Sequence, residues 1–337
     1  MLPTLPPSTV DRTVTYSPAY TLVPTYECFN RCSYCNFRVN PGQDTWLSLP
    51  DAAQRLQALS HRGVIEILVL SGEVHPQSSR RQAWFQHIFE LCQLAFQAGF
   101  LPHTNAGPLS FEEMAQLKLV NVSMGLMVEQ VTPALLETVH RHAPSKVPSV
   151  RLQQIAWAGE LRIPFTTGLL LGIGETPDDW VETLDAIANL HHTYGHIQEV
   201  ILQPHSPGQS QAHLGQPFPP EQLIQVVQLA RQHLPANITL QIPPNLVDDD
   251  TLMACLEAGV RDLGGIGPTD EVNPDYPHPT ATTLAERIQP QWHLSPRLPV
   301  YPQYDAWLPT PLRERVQHWR RQLSGLHTPP EISTRSR

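Results

Sequence analysis

Residues 21–35 read TLVPTYECFNRCSYC, an apolar run that leads directly into three cysteines within eight positions. The run at 21–27 is predicted to be a strand. Amphipathic stretches, which are typical of helices, separate it and the later strand candidates from one another. Repeated strand-then-helix order, about eight units in about 250 residues, predicts an α/β fold of the (β/α)₈ TIM-like barrel type. A doubly wound open sheet is the alternative. The other strand candidates are 65–71, 100–105, 119–125, 165–171, 198–203, 238–242 and 260–266.

Several polar residues predict where the intervening helices begin. Ser110 and Glu113 have the spacing of a capping box, in which a hydroxyl and a carboxylate satisfy free backbone N–H groups. Ser48 and Asp51 show a similar spacing, and Thr132-Pro133 and Thr176-Pro177 each place a capping residue before a proline. Apolar residues at helical spacing predict a helix with one buried face over 81–98.

The chain divides into four predicted parts. Residues 1–19 are rich in Pro, Ser and Thr and predict an irregular N-terminal arm, followed by the barrel at 20–267. Residues 268–326 are predicted to form an extension packed on the barrel, with helices at 281–289 and 310–324. Residues 327–337 are predicted to be a disordered tail.

Composition excludes several classes of function. Acidic residues outnumber basic ones 31 to 22 in 337 residues, and no Lys/Arg-rich run occurs, which argues against nucleic-acid binding. No stretch approaches the ~18 to 20 apolar residues of a membrane helix, so no membrane association is expected. The N-terminus lacks the regions of a signal peptide, so a cytoplasmic location is predicted.

Cys28, Cys32 and Cys35 form a C-x₃-C-x₂-C pattern after the first predicted strand. Thiolates bind soft metals, and four cysteines usually hold a [4Fe–4S] cluster, so three would leave one iron open to an external molecule. A structural zinc site normally needs a fourth protein ligand, and none lies at a suitable spacing. The remaining cysteines, Cys92 and Cys255, fall in apolar-periodic stretches and are predicted to lie in the core.

The pattern, with Tyr34 as the aromatic residue before the last cysteine, resembles the radical S-adenosylmethionine (SAM) enzymes. That resemblance implies a [4Fe–4S] cluster held by the three cysteines, with SAM chelating the open iron. In that superfamily an electron from the reduced cluster cleaves SAM to methionine and a 5′-deoxyadenosyl radical.

Further motifs match positions that bind SAM in that superfamily. Ser71, Gly72 and Glu73 resemble a Gly-Gly-Glu motif that receives the SAM amino group. An ordinary turn from a strand into a loop is the alternative, because it could have the same residues. Ser123 and Glu129 resemble positions that hydrogen-bond the ribose or carboxylate, although Glu129 would equally suit a helix start. A glycine-rich strand end resembles the one that faces the adenine, with a bulge or tight turn as the alternative; its residues are Gly168, Gly172, Gly174 and Glu175.

Longer stretches resemble one family, the radical SAM subunit (CofG type) of 7,8-didemethyl-8-hydroxy-5-deazariboflavin (FO) synthase. The resemblance implies an enzyme acting on an adduct of tyrosine and 5-amino-6-ribitylaminouracil, made by a separate radical SAM subunit. Hydrogen abstraction and ring closure with ammonia loss then give FO, with ferredoxin or flavodoxin as electron donor. Residues 203–210, QPHSPGQS, depart from the expected pattern. The matching stretches are 20–38, 70–76, 102–110, 122–129, 165–176, 241–246, 259–279 and 297–302 (RLPVYP).

Substrate-side residues follow from predicted strand ends. His103 and Asn105 are the predicted catalytic residues, with His103 as the base because proton removal needs a pKa near neutrality. Three carboxylates are also expected at the barrel mouth, and three histidines on a polar helix end are predicted to lie at the surface. These residues are Asp262, Glu271 and Asp275, and His191, His192 and His196.

Two groups of alternatives remain. The first stays among radical SAM enzymes: the partner subunit of FO synthase, a menaquinone-pathway relative, or biotin synthase, which would need further cysteines. The second is a non-catalytic protein that binds zinc or an iron–sulfur cluster. SAM cleavage distinguishes the two groups.

Overall fold

The computed structural model describes residues 12–211 and 215–326. Eight parallel strands form a closed sheet, because β1 pairs with both β2 and β8. This closure confirms the (β/α)₈ TIM-like barrel and rules out the open sheet. The strands are β1 Thr13–Leu22, β2 Glu66–Leu70, β3 Leu101–Asn105, β4 Ser123–Gly125, β5 Phe165–Leu171, β6 Ile197–Pro204, β7 Thr239–Gln241 and β8 Asp262–Ile266.

Helices connect the strands and cover the barrel, and a ninth strand and two helices follow it. The predicted capping box of Ser110 and Glu113 is confirmed, and Thr176 forms another with Asp179. Ser48 accepts a hydrogen bond from the Asp51 N–H, as predicted. The helices are α1 Leu49–Leu59, α2 Arg81–Gln97, α3 Phe111–Leu117, α4 Pro148–Glu160, α5 Pro177–Tyr194, α6 Pro220–His233, α7 Asp249–Ala258, α8 Ala281–Ile288 and α9 Thr310–Leu326; the extra strand is β9 His293–Pro296.

The first strand lies earlier than predicted. Residues 13–19, expected in the irregular arm, form most of β1, and residues 23–27 leave the sheet toward the cysteines. Polar and apolar residues mix in β1, so it lacks the continuous apolar run of a buried parallel strand. Its pairing with β2, β8 and β9 holds it in the sheet. Residues 1–11 and the predicted tail at 327–337 lie outside the described part of the chain.

The extension closes the amino-terminal end of the barrel. Leu298 and Val300 pack with Ile65, Leu101 and Val122, which lie at the starts of β2, β3 and β4. The Pro299 carbonyl between them accepts hydrogen bonds from Ser123 Oγ (2.6 Å) and Gln198 Nε2 (3.0 Å). The segment after β9 therefore forms a floor beneath the barrel lumen.

Two of the three histidines predicted at the surface are buried instead. His196 is 0% exposed and its Nε2 contacts the Ile155 carbonyl at 2.8 Å, while His191 packs at the end of α5 and accepts from the Ile197 N–H. Only His192 lies at the surface. The prediction was wrong because β6 begins directly after this helix end and covers it. Among the described residues, no helix has the length and apolar character needed to cross a membrane.

Candidate active site

The cysteine loop lies at the carboxyl ends of the strands, where active sites of such barrels are found. Backbone hydrogen bonds fix it to its surroundings: the Phe29 N–H donates to the Glu73 carbonyl (3.0 Å) and the Ser33 N–H to the Val139 carbonyl (3.1 Å). Cys32 is buried, whereas Cys28 and Cys35 are half-buried. The loop is thus held between the segments that follow β2 and β4.

Gly72 lets the end of β2 approach this loop. A Cβ at that position would lie 2.2 Å from the Glu27 carbonyl oxygen, closer than any side chain tolerates, and the Gly72 N–H donates to the Thr25 carbonyl. The Ser71 hydroxyl accepts from Trp84 Nε1 at 3.0 Å and donates to the Gly72 carbonyl. Ser71 and Gly72 therefore shape the backbone, and Glu73 supplies the side chain.

A cavity of about 320 Å³ opens beside Cys35. The Glu73 carboxylate in its wall accepts hydrogen bonds from Asn30 Nδ2 (2.7 Å) and the Ser145 hydroxyl, and Arg151 Nη2 lies 3.3 Å away. Glu129 also lines the cavity and is hydrogen-bonded to Lys146. We call this space the cysteine-side cavity.

Charges alternate in the cysteine-side cavity. Burial alone would raise the pKa of Glu129, but Lys146 and then Arg151 hold that pKa below its ordinary value, so the group is a carboxylate. Two carboxylates thus lie beside two cations, an arrangement that matches a zwitterion with an amino and a carboxylate group. Sequence reasoning missed Lys146 and Arg151; the only signal was that Lys146 is one of two lysines in the chain.

Tyr34 forms another part of this wall. Its hydroxyl lies 2.9 Å from His140 Nε2, and the two rings meet edge to face. Burial raises the pKa of Tyr34 well above its ordinary value, so the phenol stays neutral. This contact fixes the aromatic ring between Cys32 and Cys35 against the cavity.

The glycine-rich strand end supports the site from behind. The Gly168 carbonyl accepts from the Glu129 N–H (3.1 Å), while Gly172 and Gly174 have φ values of 91° and 115°. The Glu175 carboxylate accepts from the Gly172 N–H (2.6 Å) and from Trp180 Nε1 (2.9 Å). Gly172, Gly174 and Glu175 therefore form a tight turn outside the cysteine-side cavity. Of the four predicted residues, Gly168 alone contacts the cavity wall, through its hydrogen bond with Glu129.

The structure does not bring Ser123 to the other predicted SAM-binding residues. Ser123 begins β4 at the closed end of the barrel, fully buried, with its hydroxyl between Pro299 and His103 Nδ1 (2.7 Å). The strand prediction of 119–125 placed Ser123 near the end of β4. In the structure β4 starts there, so the side chain lies at the opposite end of the barrel from the cysteines.

A second cavity, of about 190 Å³, runs down the barrel lumen and is called the lumen cavity here. Asn105, Met127 and Gln203 are among the residues that line both cavities, so the two are neighbours at the barrel mouth. Further polar groups of the lumen cavity include Thr21, Glu66, His103, Thr166, Glu199, Gln241, Asn245, Asp270, Glu271 and Arg297.

His103 lines the lumen cavity but lacks the pKa expected of a base. Burial, and then the charge of Arg297, lower its pKa to about 3, so the imidazole is neutral and weakly basic at neutral pH. Asn105 lies where the cavities meet, in the position predicted for it.

The three carboxylates predicted at the mouth take different positions. Asp262 is 0% exposed and lies deep in the barrel beside Arg297, not at the mouth. Glu271 does lie by the lumen and accepts from the Tyr26 hydroxyl at 2.7 Å. Asp275 accepts from Asn36 Nδ2 and the Gln209 N–H, linking three loops above the mouth.

The chemistry of the three cysteines fits an iron–sulfur cluster. Within residues 12–211 and 215–326, no three His, Cys, Asp or Glu side chains converge as donors to one ion. In a [4Fe–4S] cluster each thiolate binds a different iron, so the cluster's ligands need not converge on one point. Burial raises the pKa of Cys28 to about 11 and of Cys32 to about 12, so these thiols need a cationic partner to ionise. The three thiols beside a charged cavity fit a cluster with an external ligand.

Comparison with known proteins decides the family. The model of the Radical SAM superfamily matches residues 22–187. A 7,8-didemethyl-8-hydroxy-5-deazariboflavin synthase of Trichormus variabilis is 66% identical over 92% of both chains. One from Thermosynechococcus vestitus is 63% identical over 91% of this chain and 98% of its own.

The chain belongs to the FO synthase family of the radical SAM superfamily. Membership implies a [4Fe–4S] cluster and SAM as cofactors. Two solved structures share the fold alone. The FeFe-hydrogenase maturase HydG from Carboxydothermus hydrogenoformans has a TM-score of 0.72 at 17% identity, over 93% of this chain and 78% of its own. Methylornithine synthase (PylB) has a TM-score of 0.60 at 15% identity, over 77% and 74%.

Proposed function

We propose that this enzyme is a lyase that forms FO from the adduct of tyrosine and 5-amino-6-ribitylaminouracil, by hydrogen abstraction and then ring closure with ammonia release. The observation that supports this most is the pair of neighbouring cavities. A charged one lies beside the cysteines, and a polar one extends from it down the lumen. A cofactor and a substrate bound in them would meet at Asn105 and Gln203.

The proposed cluster ligands are Cys28, Cys32 and Cys35. SAM would complete the coordination of the iron that has no cysteine ligand. Glu73 is placed to accept from the SAM amino group, and Lys146 and Arg151 to bind its carboxylate. Bound together, the cluster and SAM supply the 5′-deoxyadenosyl radical. The half-buried loop and Tyr34 restrict water around that site, which protects a reactive species.

The lumen cavity suits a neutral substrate rich in hydroxyl and amide groups. Thr21, Gln241 and Asn245 offer hydrogen-bond donors and acceptors along its wall. Asn105 would orient the adduct where the cavities meet, and neutral His103 would hydrogen-bond rather than remove a proton. These residues bind and orient the substrate, which is how an enzyme directs one radical to one hydrogen.

The proposal includes two partners. One is a separate radical SAM subunit that makes the adduct, as the family resemblance implies. A ferredoxin or flavodoxin is the proposed electron donor. Both of these proposed partners would act together with the full-length chain.

The test is anaerobic reconstitution with iron and sulfide, followed by incubation with SAM, a chemical reductant and the adduct. We expect FO, methionine and 5′-deoxyadenosine, identified by mass spectrometry. Deoxyadenosine without any deazaflavin would exclude FO formation and leave another radical SAM reaction. A protein that cleaves no SAM would be a non-catalytic metal-binding protein.

A further inference from the structure

The floor of the lumen holds a buried ionic cluster that the proposed function leaves unused. Arg297, from the segment after β9, enters the barrel and binds Asp262 with two hydrogen bonds, Nε to Oδ2 (2.5 Å) and Nη2 to Oδ1 (2.8 Å). The same guanidinium forms an ion pair with Glu199 of β6. Glu199 Oε2 accepts a further hydrogen bond from the Thr166 hydroxyl at 2.9 Å.

Negative charge exceeds positive charge in this cluster. Three carboxyl groups, Glu66, Glu199 and Asp262, are 7%, 3% and 0% exposed and share one guanidinium. The other groups facing them carry no compensating charge, because His103 is neutral and burial raises the pKa of Tyr301. Buried charges without a partner are strongly disfavoured, so the cluster retains at least one proton at neutral pH.

Donors occupy both oxygens of Asp262, which leaves no site there for a further hydrogen. Its two oxygens accept from Arg297, and they also accept from the Thr15 hydroxyl (2.5 Å) and the Gly264 N–H (2.7 Å). A carboxyl has about four acceptor sites, and these four donors fill them. The retained proton therefore belongs to Glu199 or Glu66.

Glu199 and Glu66 differ in their contacts, because only Glu199 is ion-paired with Arg297 and accepts from Thr166. Burial raises the pKa of Glu199 to about 7, while Arg297 and Thr166 stabilise the ionised form when the proton leaves. Arg297 acts on Glu66 only from beyond ion-pair distance, and burial raises the pKa of Glu66. A group that exchanges protons during a reaction works best with both forms accessible near neutrality.

We propose that Glu199 is the residue that exchanges a proton with the substrate as ammonia leaves, and that Arg297 is its positioning residue. The inference rests on the proposed function. Protonated Glu199 gives its proton to the substrate amino nitrogen, and the carbon–nitrogen bond breaks with its electron pair going to nitrogen as ammonia. The carbon bonded to the one that lost ammonia then returns one proton to the Glu199 carboxylate, and the electron pair of that C–H bond forms the new carbon–carbon double bond.

This assignment gives the RLPVYP stretch at 297–302 a chemical role. Arg297 begins the stretch, and the Pro299 carbonyl closes the floor by accepting from Ser123 and Gln198. Glu199, Ile201 and Gln203 alternate along β6 and all line the lumen cavity, so this strand connects the floor with the barrel mouth. The C-terminal extension thereby completes the substrate site.

The test compares two products of the reconstituted full-length enzyme given SAM, reductant and adduct. In Glu199→Gln we expect FO formation to fall by about 100-fold or more, the usual contribution of a general acid. Deoxyadenosine formation should stay within about threefold, because Glu199 does not line the cysteine-side cavity. A parallel loss of both products in the folded variant, or an unchanged FO-to-deoxyadenosine ratio, would overturn the assignment.

A pH profile separates a chemical role from a structural one. Wild-type FO formation should fall as pH rises through about 7, where Glu199 loses the proton it must donate. Thr166→Val removes a hydrogen bond to the ionised form, so it should move that midpoint to higher pH even if Glu199→Gln fails to fold. An unmoved midpoint contradicts the proposal.

Glu113→Gln is the matched control, since Glu113 is a partly buried carboxylate ion-paired with Arg81 outside the lumen. Its FO-to-deoxyadenosine ratio should equal that of the wild type. A wild-type enzyme that forms deoxyadenosine but no FO would contradict the proposed function itself. Normal FO formation by both wild type and Glu199→Gln would contradict only the role of Glu199.

Discussion

Cys32 and Cys92 are both buried cysteines, but their surroundings assign them different roles. Cys32 lies in the loop between the ends of β2 and β4, whereas Cys92 lies on α2 with its sulfur 3.1 Å from the Thr104 hydroxyl. Cys32→Ala should abolish bound iron, visible absorbance and SAM cleavage. Cys92→Ala should keep all three and lose about 1 kcal/mol of unfolding free energy. Iron analysis and deoxyadenosine assays check this. If Cys32→Ala bound as much iron and cleaved as much SAM as the wild type, the assignment of Cys32 as a ligand would be contradicted.

At the residue scale, local spacing identified some of the site and long-range contacts supplied the rest. The three cysteines, Glu73 and Glu129 could be named because each lies in or beside a short motif. Lys146 and Arg151 could not, since they reach the cavity from a separate turn and from α4. His103 could be placed on β3, but its low pKa depends on burial under a floor that comes from the end of the chain.

Among the elements, α9, like β9, is one that the barrel pattern alone does not require. Leu312 and Val316 on its inner face pack against the floor residues Leu298 and Val300, and Leu312 is 1% exposed. Leu312→Ala should therefore lower the free energy of unfolding by about 2–5 kcal/mol through the cavity it leaves. The exposed neighbour Gln317→Ala should change it by less than about 0.5 kcal/mol. Urea denaturation measures both; equal effects would show that α9 adds little to the core.

Element prediction succeeded where apolar runs and caps coincide. Seven strands and the helices at 81–98, 281–289 and 310–324 lie within a few residues of their predicted positions. Thr132 caps only a 3₁₀ turn, Pro133–Glu137, because the chain turns at Thr138 to pack under the cysteine loop. β1 was predicted too late in the chain and β9 was not predicted, because partners distant in the sequence, rather than apolar patterning, hold them in the sheet.

For the whole molecule, buried neutral histidines determine how the fold responds to acid. Burial lowers the pKa of His196 from 6.5 to about 4, and burial with Arg297 lowers that of His103 to about 3. Below pH 6.5 these histidines bind protons in the unfolded chain but not in the folded one, which lowers stability as pH falls. Glu199, whose pKa is raised to about 7 by burial, opposes this by one proton, so the two histidines decide the sign. His196 alone accounts for a loss on the order of 3 kcal/mol by pH 4.

Stability should therefore begin to fall just below pH 6.5, before carboxylates with ordinary pKa values titrate. Urea midpoints measured between pH 7.5 and 5 test this. His196→Gln should flatten the acid slope, because an amide donates to the Ile155 carbonyl without gaining a proton in the unfolded chain. His192→Gln, at an exposed position on the same helix end, should keep the wild-type slope. If His196→Gln loses stability in acid as steeply as the wild type, buried histidine protonation does not limit this fold.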